Sequence, residues 1–226
     1  MYTQSEIEKE LIQSKTIVPG ADFVAISVTA DEKGNAVHSG LLIRHDDQVY
    51  FFHYNKEKVL LNEVDISLAE RVFHKELSII DRKLIRAFIN HCRIIEHTAQ
   101  PNYGYFYGGS FYEDGEYHSD SPFPQLMTCV GFCINVITGF LEEKKYIEHT
   151  DWEPVSEKAE QYFQDFVATF KASHTEADIE NLKKDMRRIK PSELLASGYF
   201  SELPIRKTST DTVKPSLEEI LKANVG

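Results

Sequence analysis

The sequence predicts an α+β domain in which an antiparallel sheet packs against a buried helix, with additional helices around them. Residues 22–31 alternate apolar and small side chains with a period of two, and residues 37–44 and 48–55 flank a polar Asp46-Asp47 turn, the pattern of a β-hairpin. After Thr128, apolar residues recur at the three- and four-residue spacing of a helix with one buried face. The 226 residues suffice for one domain with a sizeable core.

Net charge and hydropathy narrow the range of partners. The 25 basic and 36 acidic residues give a net charge of -11, which repels phosphate backbones and anionic lipid headgroups, so nucleic acid is not expected as a partner. There is no run of about 18 apolar residues, and we therefore expect no integral membrane segment. Residues 1–17 are polar and acidic where a secretory signal is basic and then apolar, which leads us to expect a cytoplasmic protein.

The N-terminal half is predicted to contain a short helix, the sheet and a helical insertion. Ser5 and Glu8 have the spacing of a capping box, which predicts a helix that continues through Ile12. After the hairpin, apolar residues recur at helical spacing, and we expect a helical insertion at about residues 67–95.

Residues 99–124 show neither the two-residue period of a strand nor the three- and four-residue spacing of a helix, and they are rich in Gly, Tyr, Phe and Asp. Such a segment is either a long ordered loop over a site or an irregular hairpin. Because it directly precedes the helix that follows Thr128, we expect it to line or cover a substrate cleft, with Tyr105, Tyr107 and Tyr112 in contact with substrate.

The C-terminal part is predicted to be helical. One helix carries the apolar stripe of residues 162–170, and a second runs from a Thr175 cap to a stop at Pro191. Ser216 and Glu219 have the spacing of a last capping box.

The three cysteines are predicted to be free thiols, because an odd number in a chain of this size does not indicate a disulfide framework. Thr128 is an expected N-cap, which places Cys129 in the first turn of its helix, where unpaired backbone N–H groups lower a thiol's pKa. Cys133 lies one turn further on the same stripe and is expected to pack, as is Cys92. The alternative for Cys129 is also a packing role, as a small hydrophobic residue that begins a core helix.

Two histidines on the hairpin are candidates for a base and its partner. With a two-residue turn at Asp46-Asp47, His38 faces Asn55 and His53 faces Gly40, so the two histidines are diagonal neighbours on one face, roughly 7 Å apart. A base needs a third group to hold its tautomer and direction, and either His53 or Asn55 could hold His38. A turn longer or shorter by one residue would place the histidines on opposite faces.

Taken in order along the chain, five short motifs resemble the circularly permuted papain-like cysteine hydrolases, the NlpC-type group that includes YiiX-like proteins and lecithin:retinol acyltransferase relatives. They are HSGLL at 38–42, VYFFH at 49–53, TCVGF at 128–132, PSEL at 191–194 and SGYF at 197–200. The resemblance implies a single papain-like domain, which we expect over residues 1–226; the helical insertion at about 67–95 has no counterpart in that group, and a C-terminal helical extension follows. The resemblance also implies Cys129 as nucleophile, His38 as base and His53 as orienting residue.

The function that this resemblance implies is that of a thiol-dependent hydrolase or acyltransferase. It would act on an amide or ester of a small-molecule, peptide or lipid acyl substrate through a thioester on Cys129. The backbone N–H of Cys129 would supply part of the oxyanion hole, and Gln125 is one candidate for the second donor. The alternative is a non-catalytic binding or immunity-type module that keeps the papain-like frame.

Metal and cofactor sites are not expected. The chain has no Cys-x-x-Cys pair and no His-Glu-x-x-His, the spacings typical of zinc and iron–sulfur sites. It also has no Gly-x-Gly-x-x-Gly and no phosphate-binding loop, so no nucleotide cofactor is predicted.

Overall fold

The computed structural model of the protein describes residues 2–16, 20–65, 67, 69–104, 109–119, 125–141, 145–155 and 161–225. Over these residues the fold is mixed α+β, with seven α-helices and a six-stranded antiparallel sheet, which confirms the predicted class. Within the same ranges, no helix has both the length and the apolar character needed to cross a membrane.

The main sheet contains strands β1 to β6 in the order β1-β6-β2-β3-β4-β5, and each neighbouring pair is antiparallel. The strands are β1 (Ile12–Gln13), β2 (Phe23–Ala30), β3 (Ala36–His45), β4 (Gln48–Tyr54), β5 (Val59–Glu63) and β6 (Val72–Glu76). Two small sheets follow: a parallel pair of β7 (Asn102–Tyr103) with β10 (Leu126–Met127), and a hairpin of β8 (Phe111–Glu113) with β9 (Glu116–His118).

Over the described residues, seven helices pack against the main sheet or against one another. They are α1 (Gln4–Glu10), α2 (Ile85–Thr98), α3 (Cys129–Phe140), α4 (Gln161–Lys171), α5 (Glu176–Asp185), α6 (Pro191–Ser197) and α7 (Lys207–Ala223). Helix α3 lies against β3 and β4, and α6 lies against β2 and β3. Leu217 and Leu221 of α7 are fully buried in the same core, so the C-terminal helix is part of the main hydrophobic cluster.

The predicted hairpin register is confirmed. Asp46 and Asp47 both have positive φ, 50° and 63°, as a two-residue type I′ turn requires. Leu41 pairs with Phe52 and Ile43 with Tyr50. Because side chains alternate, Leu41 and Phe52 face the main core, whereas residues 38, 40, 51 and 53 belong to the opposite face.

The expectation of a helical insertion over residues 67–95 is wrong in its first half. Residues Val72–Glu76 form β6, which pairs with β2 and places Phe73 opposite Val28, and helix α2 begins only at Ile85. Phe73 and His74 are adjacent in the chain and both buried, one on each face of the sheet. No alternation of polar and apolar residues therefore marks this strand in the sequence.

Three predictions of helix ends can be compared with the structure. The first helix is capped by Thr3 with Glu6, not by Ser5 with Glu8, and ends at Glu10, because the chain leaves it to form β1. The Thr175 cap is confirmed, although its helix ends at Asp185. Ser216 is not a cap, since it lies inside α7, which continues through Pro215.

Candidate active site

Cys129 begins helix α3, as predicted. The side chain of Thr128 accepts a hydrogen bond from the backbone N–H of Gly131 at 3.2 Å, so Thr128 satisfies one of the donors left unpaired at the helix N-terminus. Thr128 itself has extended backbone angles, which stops the helix from starting earlier. Cys129 is 7% exposed, while Cys133 is fully buried one turn further in the core. All three cysteines are free.

The two histidines of the hairpin are in direct contact. Nε2 of His38 lies 2.9 Å from Nδ1 of His53, which confirms the geometry inferred from the hairpin register. Asn55, the other candidate partner, is engaged locally: its side-chain oxygen accepts the backbone N–H groups of Glu57 and Lys58 at 3.1 and 3.0 Å. Of the two candidates, the structure therefore favours His53 as the residue that orients His38.

Gly40 makes room for the support of His53. The ring of Phe51 stacks on His53, with centroids 4.5 Å apart and an interplanar angle of 29°. A Cβ atom at Gly40 would overlap the far edge of the Phe51 ring and would lie 3.0 Å from Cβ of His53. The glycine of the His-x-Gly motif is therefore needed for packing. Because Gly40 has no side chain, the ring of Phe51 can lie over β3 and stack on the imidazole of His53.

The thiol and the two imidazoles line one cavity of about 270 Å³. Its lining residues are Val37, His38, His53, Tyr54, Asn55, Lys56, Tyr103 and Cys129. The last Cα pair of the β3–β4 ladder is Leu41 with Phe52, and Ser39 lies two residues beyond it. The backbone N–H of Ser39 donates a hydrogen bond to the Cys129 sulfur. His38 and His53 project from the sheet face opposite to α3, and both border the cavity that Cys129 also lines at this end of the ladder.

Burial changes the expected chemistry of the thiol. The sequence suggested a lowered pKa at the helix N-terminus, but burial raises the pKa of Cys129 above its ordinary value. The backbone N–H groups of Ser39 and Val130 and the charge of Lys56 oppose this effect without cancelling it. Burial raises the pKa of Cys92 and Cys133 much further. Cys129 is therefore the most readily ionised of three thiols that are all protonated at neutral pH.

The histidine pair is uncharged at neutral pH. Burial lowers the pKa of His38, and burial together with the charge of His38 lowers the pKa of His53 to about 4. A neutral His53 whose proton is on Nε2 accepts a hydrogen bond at Nδ1, which fits a tautomer of His38 that donates from Nε2. Nδ1 of His38 is then the basic nitrogen that can take a proton from a thiol.

The three tyrosines predicted to contact substrate do not share one location. Tyr105 and Tyr107 lie outside the described residues. Tyr112 is fully buried, and its hydroxyl donates to the side-chain oxygen of Gln125 at 3.0 Å, while its ring lies 5.9 Å from that of Phe132 on α3. The expectation that Tyr112 contacts substrate does not fit this structure, because the residue is buried and packs against α3 from within the core.

Gln125 is held away from the cavity. Its side-chain oxygen accepts from the Tyr112 hydroxyl and from the backbone N–H of Gln100 at 3.3 Å, and Gln125 is not one of the lining residues. The structure thus gives no support to Gln125 as a second oxyanion donor. It fixes the segment that leads into α3 instead.

Sequence reasoning missed three residues that line the cavity, Val37, Tyr54 and Lys56, whereas Tyr103 belongs to the aromatic segment that was expected to line it. The period of two places Tyr54 on the core face beside Phe52, so its burial could have been anticipated. No sequence signal marks Lys56, whose position depends on the backbone of the turn that follows β4. Tyr103 reaches the cavity because β7 pairs in parallel with β10, a long-range pairing that periodicity does not reveal.

One group of potential metal ligands occurs among the described residues. Asp22, His45 and Asp46 each offer an atom within 4.8 Å of the others. They lie at the turn end of the hairpin, whereas His38 and His53 lie beyond the other end of the same ladder. His45 Nδ1 lies 2.8 Å from a carboxylate oxygen of Asp22, so a local hydrogen bond accounts for the cluster.

No protein-family model, no curated protein and no solved structure matches this chain. The assignment of function therefore rests on the geometry of the cavity and on the residues that line it.

Proposed function

We propose that the chain is a thiol-dependent hydrolase or acyltransferase with a permuted papain-like arrangement, acting on an amide or an ester. The observation that carries this proposal is the 2.9 Å contact between His38 and His53 beside a cavity that both share with Cys129. A nucleophile, a base and a group that orients the base are the three parts needed for acyl transfer through a covalent intermediate.

The first half of the reaction forms a thioester. As the Cys129 sulfur attacks the carbonyl carbon, Nδ1 of His38 takes the thiol proton, and the carbonyl π electrons move to oxygen. His53 accepts a hydrogen bond from Nε2–H of His38 and so stabilises the imidazolium. Because burial favours neutral groups, proton transfer accompanies attack and no ion pair is needed beforehand. The backbone N–H of Cys129 faces the developing oxyanion.

The thioester is complete when the leaving group departs, and the second half of the reaction then releases the acyl group. The tetrahedral intermediate collapses, the carbon–nitrogen or carbon–oxygen bond breaks, and the His38 imidazolium gives its proton to the leaving group. Water or another acceptor then attacks the thioester carbonyl while His38 takes the acceptor's proton. Expulsion of the sulfur, which regains a proton from His38, restores the free thiol.

A second candidate is the non-catalytic binding or immunity-type module. The observation in its favour is the burial of Cys129, which raises the pKa of the thiol. In that case the cysteine would only pack, and the cavity would bind a ligand without turnover.

Trapping of an acyl-enzyme separates the two candidates. The protein is mixed with 4-nitrophenyl acetate, quenched in acid and analysed by intact mass and peptide mapping. The proposal predicts one acetyl group on Cys129 that hydroxylamine removes, and none in Cys129→Ser. Cys133→Ala, which changes the neighbouring buried thiol, keeps the adduct. Absence of an adduct on Cys129 would support the binding module.

A further inference from the structure

Lys56 lies at the same cavity as the thiol, in a turn between β4 and β5. The hydroxyl of Tyr54 donates to the backbone carbonyl of Lys56 at 2.9 Å, and Asn55 holds the rest of the turn through its side-chain oxygen. Nζ of Lys56 lies 4.9 Å from the ring centroid of Tyr103, another lining residue. The ammonium is thus held over one wall of the cavity by a cation–π contact.

The backbone of Lys56 is in a conformation that favours glycine. Its φ is 82°, in the left-handed region where a side chain is sterically unfavourable. Positions of this kind tend to occur where the surrounding structure fixes them for a functional purpose. Glycine would adopt the same turn without strain, so the turn alone does not call for a lysine.

The charge at the cavity is opposite to that of the whole protein. The chain carries a net charge of -11, yet among the described residues that line the cavity Lys56 is the formally charged one and none is a carboxylate. Among the described residues, the ammonium of Lys56 forms no ion pair and lies over the ring of Tyr103. Its charge acts on Cys129, where it favours the thiolate. An anionic group that enters the cavity would find an ammonium beside the nucleophile.

We propose that the acyl substrate carries an anionic group, a carboxylate or a phosphate, near the bond that is cleaved, and that Lys56 binds it. This inference rests on the proposed function, since it assigns a substrate class to the same site. An anionic group near the ring of Tyr103 would pair with Nζ as a point charge. The small volume of the cavity, about 270 Å³, favours a short distance between that group and the carbonyl carbon.

Alkylation of Cys129 by two matched reagents tests the inference without knowledge of the natural substrate. Iodoacetate is anionic and iodoacetamide is neutral, but both react by the same displacement: the sulfur–carbon bond forms, iodide leaves, and the thiol proton passes to His38 or water. The ratio of the two rates at neutral pH isolates recognition of charge, because any effect of a variant on the thiol itself cancels. Peptide mapping assigns each modification to Cys129.

Lys56→Gln and Lys58→Gln form a matched pair of variants. They lose the same charge in the same turn and both side chains are exposed, but only Lys56 lines the cavity. We expect Lys56→Gln to lower the iodoacetate to iodoacetamide ratio by about three- to tenfold, the effect of one nearby charge in a partly hydrated site. Lys58→Gln should leave the ratio at the parent value, and Lys56→Arg should retain most of it. Lys56→Gly, which relieves the backbone strain, should lower the ratio as Lys56→Gln does.

Protection experiments assign the anionic group. If the group is a carboxylate, glutarate should slow iodoacetamide labelling of Cys129 in the parent protein; if it is a phosphate, inorganic phosphate should do so. In Lys56→Gln, the protection by either anion should be weaker. A ratio that is equal in the parent and in Lys56→Gln, or protection by neither anion, would overturn the inference. That outcome is distinct from a failure of the proposed function, which would appear as a Cys129 whose alkylation does not depend on His38.

Discussion

Nε2 of His38 and Nδ1 of His53 lie 2.9 Å apart across two neighbouring strands, with the ring planes at 81° to each other. Burial and the charge of His38 lower the pKa of His53 to about 4, so His53 is neutral and can accept a hydrogen bond at neutral pH. The contact holds the direction of His38 and occupies its Nε2. In the tautomer in which Nε2–H of His38 donates to His53, Nδ1 is the ring nitrogen left to take a proton.

The first prediction concerns His53. In His53→Ala the base remains but is no longer held in direction, and we expect kcat for an activated ester to fall by about 10²- to 10³-fold. His53→Asn, which keeps an acceptor on the same strand, should recover part of this loss. Steady-state kinetics on both variants, with circular dichroism to confirm folding, make the measurement. Equal kcat in His53→Ala and the parent protein would show that His53 does not orient the base.

Gly40 gives the second prediction. A methyl group in Gly40→Ala would overlap the Phe51 ring, so we expect a loss of about 1 to 3 kcal/mol in the free energy of unfolding together with reduced activity. Urea denaturation measures the first effect and ester turnover the second.

The matched control for Gly40 is the double variant Gly40→Ala with Phe51→Ala. Because the two side chains compete for one space, the destabilisation in the double variant should be smaller than the sum of the single effects. Additive losses would mean that the ring of Phe51 does not depend on the open space above Gly40.

The third prediction is a pH dependence of stability that arises from His74. This imidazole is fully buried, lies 2.9 Å from the Ser14 hydroxyl and stacks on Phe23, and burial lowers its pKa from 6.5 to about 4. Between these values the unfolded chain binds a proton that the folded chain does not. Stability is therefore complete above the unfolded pKa and is lost as the pH falls towards 4, by on the order of 3 kcal/mol.

Urea unfolding of His74→Asn at neutral and acid pH tests this dependence. Asparagine keeps a polar atom for Ser14 but does not titrate, so the acid-induced loss should be smaller than in the parent protein. His97→Gln removes an exposed histidine and should leave the loss unchanged. An identical acid-induced loss in His74→Asn and the parent protein would rule out His74 as its source.

Local patterns in the sequence were sufficient to predict the β3–β4 hairpin and the Thr128 cap of helix α3. Two aspartates at the turn fix the register of β3 and β4, and the register in turn fixes the contact between His38 and His53. Thr128 likewise determines where α3 begins, because its side chain satisfies a backbone donor within three residues of itself.

The remaining features depend on long-range packing. Strand β6 lies between β1 and β2, and burial on both faces removes the alternation by which a strand is recognised. The burial of Tyr112 and the pKa of Cys129 depend on which residues the core places around them. The position of Cys129 at a helix N-terminus predicted a lowered pKa for its thiol, whereas burial raises that pKa. Lys56 reaches the cavity because its backbone is left-handed, and the residue types in the turn do not predict that conformation.

The rate of alkylation of Cys129 by iodoacetamide, followed by mass spectrometry as a function of pH in the parent protein and in His38→Ala, tests the central claim most directly. Because the pKa of the thiol is raised, the rate should increase from neutral to alkaline pH without a plateau, and it should exceed the rates at Cys92 and Cys133 throughout. His38→Ala, which removes the base, should slow labelling at neutral pH by about tenfold or more. Equal rates in the parent protein and His38→Ala would contradict the account, because Cys129 would then receive no assistance from His38 and the cavity would be a binding site alone.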